Sequence, residues 1–213
     1  RVLLIDLDPQ GNATTGLGVD KRETVSSIYD ALINEVPLKE VSIDTMQETL
    51  KLCPSSINLA GAEIELVSML SRENRLKYAI SEIQEDYDYI FIDCPPSLGL
   101  LTLNALTAAD TVLVPIQCEY FALEGLSQLM DTVRLVQKHL NRSLKVEGVV
   151  LTMFDARTNL SIEVAEEVRK HFTNKVYQTL IPRNVRLSEA PSYGLPIILY
   201  DKSSKGAEAY LQL

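Results

Sequence analysis

The chain has 213 residues, enough for one large domain with a real core, and its 46% hydrophobic and 23% charged content is that of an ordinary globular protein. A net charge of −9 argues against a general nucleic-acid binder, no apolar run is long enough to cross a bilayer, and Arg1 leads straight into a strand-like run, so nothing at the start reads as a signal peptide. Cys53, Cys94 and Cys118 are far apart and odd in number, which disfavours a metal site or a disulfide framework and fits a reducing cytoplasm.

Residues 2–7 read as a short buried strand that ends in acid. Apolar periodicity predicts amphipathic helices over 24–34 and 71–85, the second capped by Ser71. Residues 89–93 (YIFID) read as a second buried strand, again ending in Asp. A helix over 97–108 leads to a third strand at 111–116 and a long helix over 123–140. A strand at 145–154, a helix at 160–172 and a strand at 176–181 follow; 196–199 reads as a short extended piece, and a helix begins at 205. Strands that alternate with helices and are apolar on both faces make the fold class α/β, a mostly parallel doubly wound sheet with helices on both sides and right-handed crossovers. No repeat, low-complexity segment or linker interrupts it, so 1–213 reads as a single domain. His139 and His171 lie in charged helical contexts without a second ligand nearby and read as solvated or half-buried side chains.

In such sheets a ligand sits outside the carboxyl ends of the strands. Asp93 there has the pattern of an acid that holds a nucleotide's magnesium through water, and equally that of an acid capping the next helix. Asp6 and Asp8 end the first strand where fraying lets both turn toward one ligand, and the loop over 9–16 (PQGNATTG) is small enough for close backbone approach. An Asp-x-Asp at a strand end serves nucleotide hydrolysis, or aspartyl phosphate formation as in haloacid-dehalogenase-type phosphatases; a plain Asp-Pro turn is the simpler reading. Acid is spread unevenly: 12 basic against 23 acidic residues through 156, then 8 against 6 from 157 on, which allows a basic face near the end of an acidic chain.

Five segments together resemble successive blocks of the ParA/Soj partition ATPases, the MinD-related deviant P-loop class. They are RVLLIDLDPQGNATTGLG, YDYIFIDCPPSLGLLTLNAL, PIQCEYFALEGLSQL, GVVLTMFDARTNLS and IPRNVRLSEAPSYGLPIILYD, in the family's order. The phosphatase alternative loses ground here, because those enzymes want Asp-Gly-Thr after the paired acids and this chain has Pro9-Gln10-Gly11. The resemblance implies an ATPase that uses ATP and Mg2+. Asp8 would be the catalytic acid that orients the water attacking the γ-phosphate, Asp6 would support the magnesium region, and Asp93 would act on the metal through water. Residues 9–18 and 94–99 would be its two switch loops, and the adenine would lie near Met153 and Phe154 on one side and Pro182, Arg183 and Asn184 on the other. It further implies a homodimer formed on ATP, binding to double-stranded DNA without sequence preference, and a ParB/Spo0J-type centromere-binding partner. The setting would be cytoplasmic and nucleoid-associated, with no membrane. The DNA-contact candidates are Arg157, Arg186, Lys202 and Lys205.

The family's defining loop, K-G-G-V-G-K-T, has no counterpart in the 213 residues, and neither Gly-Lys-Ser, Gly-Lys-Thr nor G-x-x-x-x-G-K occurs. The expectation is therefore a chain incomplete at both ends. It would lack its first strand, phosphate loop and first helix, on the order of 30 residues, its last helix would be cut at Leu213, and by itself it would be an inactive fragment. Two alternatives stand beside the partition switch: a non-catalytic interaction module, and a MinD-like division-site regulator, which needs a basic amphipathic helix at its end. The DPQGNAT block fits the partition branch better.

Overall fold

The structure, a computed structural model, describes residues 1–22 and 24–213. They pack as two compact units, Arg1–Ala109 with Pro191–Gly194, and Asp110–Ala190 with Leu195–Leu213. Among the described residues no helix is long and apolar enough to cross a membrane.

The first unit runs β1 (Val2–Asp6), α1 (Asn12–Gly16), α2 (Ile28–Ile33), α3 (Leu38–Val41), β2 (Ile43–Asp44), β3 (Leu50–Cys53), α4 (Leu59–Leu66), α5 (Arg75–Ser81), β4 (Tyr89–Asp93) and α6 (Leu100–Ala108). Its sheet has the order β2-β3-β1-β4, with β3 and β4 parallel to β1 and the short β2 antiparallel at the edge. Alternation along β1 sends Leu3 and Ile5 to one face, in register with Ile90 and Ile92 of β4. That face is the core: Leu3 and Ile5 pack with Ile28, Leu32, Leu66, Leu76 and Leu101 from four helices, all of them buried. Each such side chain contributes about 1.5–3 kcal/mol by leaving water.

The opposite face carries Leu4 and Asp6 of β1, in register with Phe91 and Asp93. Here the structure corrects the reading of 89–93 as buried on both faces. Tyr89 and Phe91 are 67% and 56% exposed, with their rings stacked at 6.4 Å between centroids. The reason is positional: β4 is the sheet's last strand, and the helices that build the core gather on the Ile90 and Ile92 side.

The second unit runs β5 (Thr111–Gln117), α7 (Ala122–His139), β6 (Lys145–Phe154), α8 (Asn159–His171), β7 (Val176–Pro182), α9 (Val185–Glu189), α10 (Ile197–Tyr200) and α11 (Lys205–Leu211). Its strands are parallel in the order β5-β6-β7. Val114, Ile116, Val149 and Leu151 form the core with Leu126 of α7 and with Val164 and Val168 of α8. Thr158 caps α8 by accepting from Ser161 N, and Arg169, Lys170 and His171 in its last turn complement the helix dipole. The chain is thus α/β, with mostly parallel sheets flanked by helices.

Two further expectations change. Ser71 does not cap a helix over 71–85: it sits in the left-handed region at φ 51, followed by a 3-10 turn at Arg72–Asn74 before α5 begins at Arg75. An N-cap needs extended backbone, which that φ forbids. The piece over 196–199 is not extended; Pro196 precedes one helical turn, α10, a position where the missing N–H costs nothing.

Candidate functional site

Register brings the first two acids together. Asp6 of β1 and Asp93 of β4 are direct partners at the carboxyl ends of adjacent parallel strands, and Leu7 N donates to Asp93 O at 2.8 Å. Their environments differ. Asp6 is fully buried, and its carboxylate accepts from Thr14 N at 2.7 Å, Thr14 Oγ1 at 2.6 Å and Asp8 N at 3.2 Å. Burial pushes its carboxyl above the ordinary value, and the Thr14 hydrogen bonds oppose that rise. Among the described residues no donor reaches the Asp93 carboxylate in this way. Asp93 stays open to solvent on one side; the protein crowded around its carboxyl, and then the negative charges of Asp6 and Asp8, push it up to about 6.

Asp8 is half-buried at the start of the loop. Its Oδ1 accepts from Gln10 N at 2.9 Å, closing an Asx turn, and its carbonyl accepts from Gly11 N at 2.8 Å and from Ser55 Oγ at 2.7 Å. Gly11, at φ 61, then turns the chain into α1, and Lys21 Nζ donates to Gln10 O over the same bend. The loop closes where Gly18 (φ 80) meets Gly194 (φ 65); a Cβ on Gly194 would lie 2.8 Å from Gly18 Cα, so side chains are excluded from that crossing. Residues 94–99 lead from Asp93 into α6. Thr102 Oγ1 donates to Ser97 O at 2.6 Å, and Glu63 of α4 covers Gly99, where a Cβ would come within 2.0 Å of its carboxylate. Among the described residues no group of three or more His, Cys, Asp or Glu side chains is arranged to hold a metal ion. Asp8 and Asp93 suit a hard cation that takes most of its ligands from phosphate and water.

The second unit assembles the other candidates. Phe154 and Pro182 are register partners at the ends of β6 and β7, and Arg183 N donates to Phe154 O at 3.0 Å. Met153 holds φ 53, unusual for a side chain of its size. Arg183 pairs with Glu119 at 2.9 Å, and Asn184 caps α9 by accepting from Arg186 N and Leu187 N. Met153, Phe154, Pro182, Arg183 and Asn184 therefore share one end of one sheet. Arg157 is engaged by Asp155 through its backbone N–H, Nε and Nη2, and it holds that carboxyl far below the usual range. Arg186 pairs with Glu189 at 2.8 Å and Asp201 at 3.4 Å, while Lys202 and Lys205 are exposed on either side of Ser204, the cap of α11.

Two residues that build the site carry little signal in the sequence. Thr14 lies inside the loop block with nothing to mark it from Thr15, and Ser55 follows β3, a strand too short for its apolar pattern to stand out. A short apolar run ending in Cys-Pro-Ser-Ser is the one signal for the second.

Comparison with known proteins adds to this geometry. A family model described as "AAA domain" matches residues 1–146. The chain is 63% identical, over all 213 residues and 84% of the relative's length, to the sporulation initiation inhibitor protein Soj of Bacillus subtilis. It is 56% identical to the chromosome partitioning protein ParA of Myxococcus xanthus, over all of this chain and 75% of that one. Among solved structures, a cobyrinic acid a,c-diamide synthase from Mycobacterium smegmatis with bound ADP and magnesium superposes with a TM-score of 0.84 at 40% identity, covering 100% of this chain and 79% of that one.

Proposed function

The chain belongs to the Soj/ParA family of chromosome-partitioning ATPases, and we propose from that premise that it is a partition switch driven by ATP binding and hydrolysis. The observation that carries this reading is the division of labour among the strand-end acids. Asp6 is consumed by internal hydrogen bonds, Asp93 is an acid held up to about 6, and Asp8 spends one carboxylate oxygen on Gln10 N. Asp8 keeps acceptor capacity for a water molecule. In this reading Asp8 orients the water that attacks the γ-phosphate, and Asp6 supports it from inside the fold. Magnesium, when bound with the nucleotide, neutralises charge on the phosphate oxygens, and Asp93 holds it through water. Met153, Phe154, Pro182, Arg183 and Asn184 flank the adenine. ATP brings two copies together, the dimer holds double-stranded DNA without sequence preference through Arg157, Arg186, Lys202 and Lys205, and a ParB-type partner stimulates hydrolysis on the nucleoid.

The test is the Asp8→Ala variant of the full-length gene product, compared with wild type by fluorescent ATP titration and phosphate release. Hydrolysis is expected to fall on the order of 100-fold while ATP affinity stays within about threefold, as for loss of a group that acts on the reacting water. An unchanged hydrolysis rate would remove Asp8 from the chemistry and the reading with it. The 213-residue chain titrated beside one preceded by a glycine-rich, lysine-bearing segment tests the phosphate site. Binding confined to the longer chain supports a cradle outside these residues, whereas tight binding by the 213 residues alone places it among them.

A further inference from the structure

A water-orienting carboxylate is useful only if it is aimed, since displacement by about 1 Å can cost on the order of 100-fold in rate. Asp8 sits on a loop, where backbone freedom works against such aim. Three fully buried polar residues meet beneath it: Asp6 of β1, Thr14 of α1 and Ser55 after β3. Thr14 Oγ1 donates to Asp6 at 2.6 Å and accepts from Ser55 N at 3.0 Å. Ser55 Oγ donates to the Asp8 carbonyl at 2.7 Å. Every hydroxyl proton has one destination, because the carboxylate and the carbonyl accept only, so the network is directional as well as satisfied. Ser55 grips the loop at both ends, by its side chain at Asp8 and through its backbone at Thr14, across sequence separations of 47 and 41 residues.

We propose that Ser55, acting with Thr14, is the positioning residue that aims Asp8. Neither touches the reacting atoms; they fix the backbone from which the Asp8 carboxylate projects. The inference rests on the ATPase reading above for its kinetic consequence, but the latch itself is a property of the loop.

Two measurements on the full-length protein separate the latch from that reading. The first is kcat and ATP affinity for wild type, Ser55→Ala, Thr14→Val, Thr14→Ser, Asp8→Ala and the Ser55→Ala/Asp8→Ala pair. The second is amide hydrogen exchange over residues 8–14. Ser55→Ala and Thr14→Val are expected to lower kcat about tenfold with ATP affinity kept within about twofold, the signature of lost transition-state aim. Thr14→Ser, which keeps the hydroxyl, restores the rate. In the Asp8→Ala background Ser55→Ala costs nothing further, a result that a merely structural role would not produce. Exchange at Gly11 and Thr14 rises about tenfold in Ser55→Ala. An equal tenfold loss on top of Asp8→Ala, or a Ser55→Ala protein with wild-type kcat and exchange, would overturn the proposal. Should wild type itself hydrolyse no ATP, the ATPase reading fails, and exchange alone then decides the latch: faster exchange upholds it and unchanged exchange removes it. If Thr14→Val does not fold, Ser55→Ala and Thr14→Ser carry the same comparison.

Discussion

Asp6 and Asp93 occupy equivalent positions in adjacent strands, yet one carboxylate is surrounded by donors and the other by negative charge. This difference has a thermodynamic sign. An acid whose carboxyl is pushed up to about 6 from 3.8 binds its proton more readily folded than unfolded, so its contribution to stability is present below about pH 4 and is lost as pH rises through 6. Asp93→Asn, which keeps the shape and removes the charge, is therefore expected to raise the Tm at pH 7.5 without nucleotide or magnesium. The gain should shrink through pH 6 and vanish near pH 4, as followed by circular dichroism. An equal gain at all three pH values would mean that the ionisation of Asp93 is not the cause. Magnesium-nucleotide affinity should move the other way, strengthening as pH rises through about 6 and Asp93 ionises. In sequence Asp6 and Asp8 look alike, because an Asp-x-Asp says nothing of which acid finds donors. Thr14 decides that, and it becomes a partner of Asp6 only when α1 folds back over the strand end.

At the scale of elements, alternating strands and helices are readable because their apolar patterns are long and their boundaries polar: β6 spans 145–154, as expected, and α7 and α8 fall within one or two residues of expectation. β3 and α4 escape for opposite reasons. β3 has four residues, two of them half-buried, with a lysine in the middle. α4 is apolar nearly all round: Leu59, Ala62 and Leu66 are buried, while Ile64 is 78% exposed, so no polar face marks its period. Packing separates the two faces where hydropathy does not. Leu66→Ala should cost about 2–5 kcal/mol in urea unfolding, and Ile64→Ala on the same helix less than about 0.5 kcal/mol. Equal costs would mean that Ile64 is packed against something that the fold of this unit does not supply. The segment that runs from Ser55 into α4 thus reaches both loops at the candidate site, Ser55 through Asp8 and Glu63 of α4 over Gly99.

Across the whole molecule the charge is acidic, −9, while the basic candidates for DNA binding all belong to the second unit. Arg157 and Arg186 are not idle there: each is paired with a neighbouring carboxylate, at 2.7 Å for Asp155 and 2.8 Å for Glu189. Such pairing does not argue against a nucleic-acid role. Arg157 is 86% exposed and Arg186 53%, and exposed ion pairs are weak and screened by salt, so exchanging a carboxylate for a phosphate loses little. The acidic remainder of the chain works against non-specific retention at low salt, which makes the contribution of each arginine measurable. With ATP present, Arg157→Ala/Arg186→Ala is expected to weaken binding to double-stranded DNA to the same degree on unrelated sequences. The slope of log affinity against log salt should flatten by about 0.9 for each phosphate that is no longer neutralised, roughly 2 for the pair. A slope unchanged by the double substitution would move the DNA surface away from these arginines. A weakening confined to one sequence would instead make them readers of bases, contrary to the phosphate-binding role proposed for them.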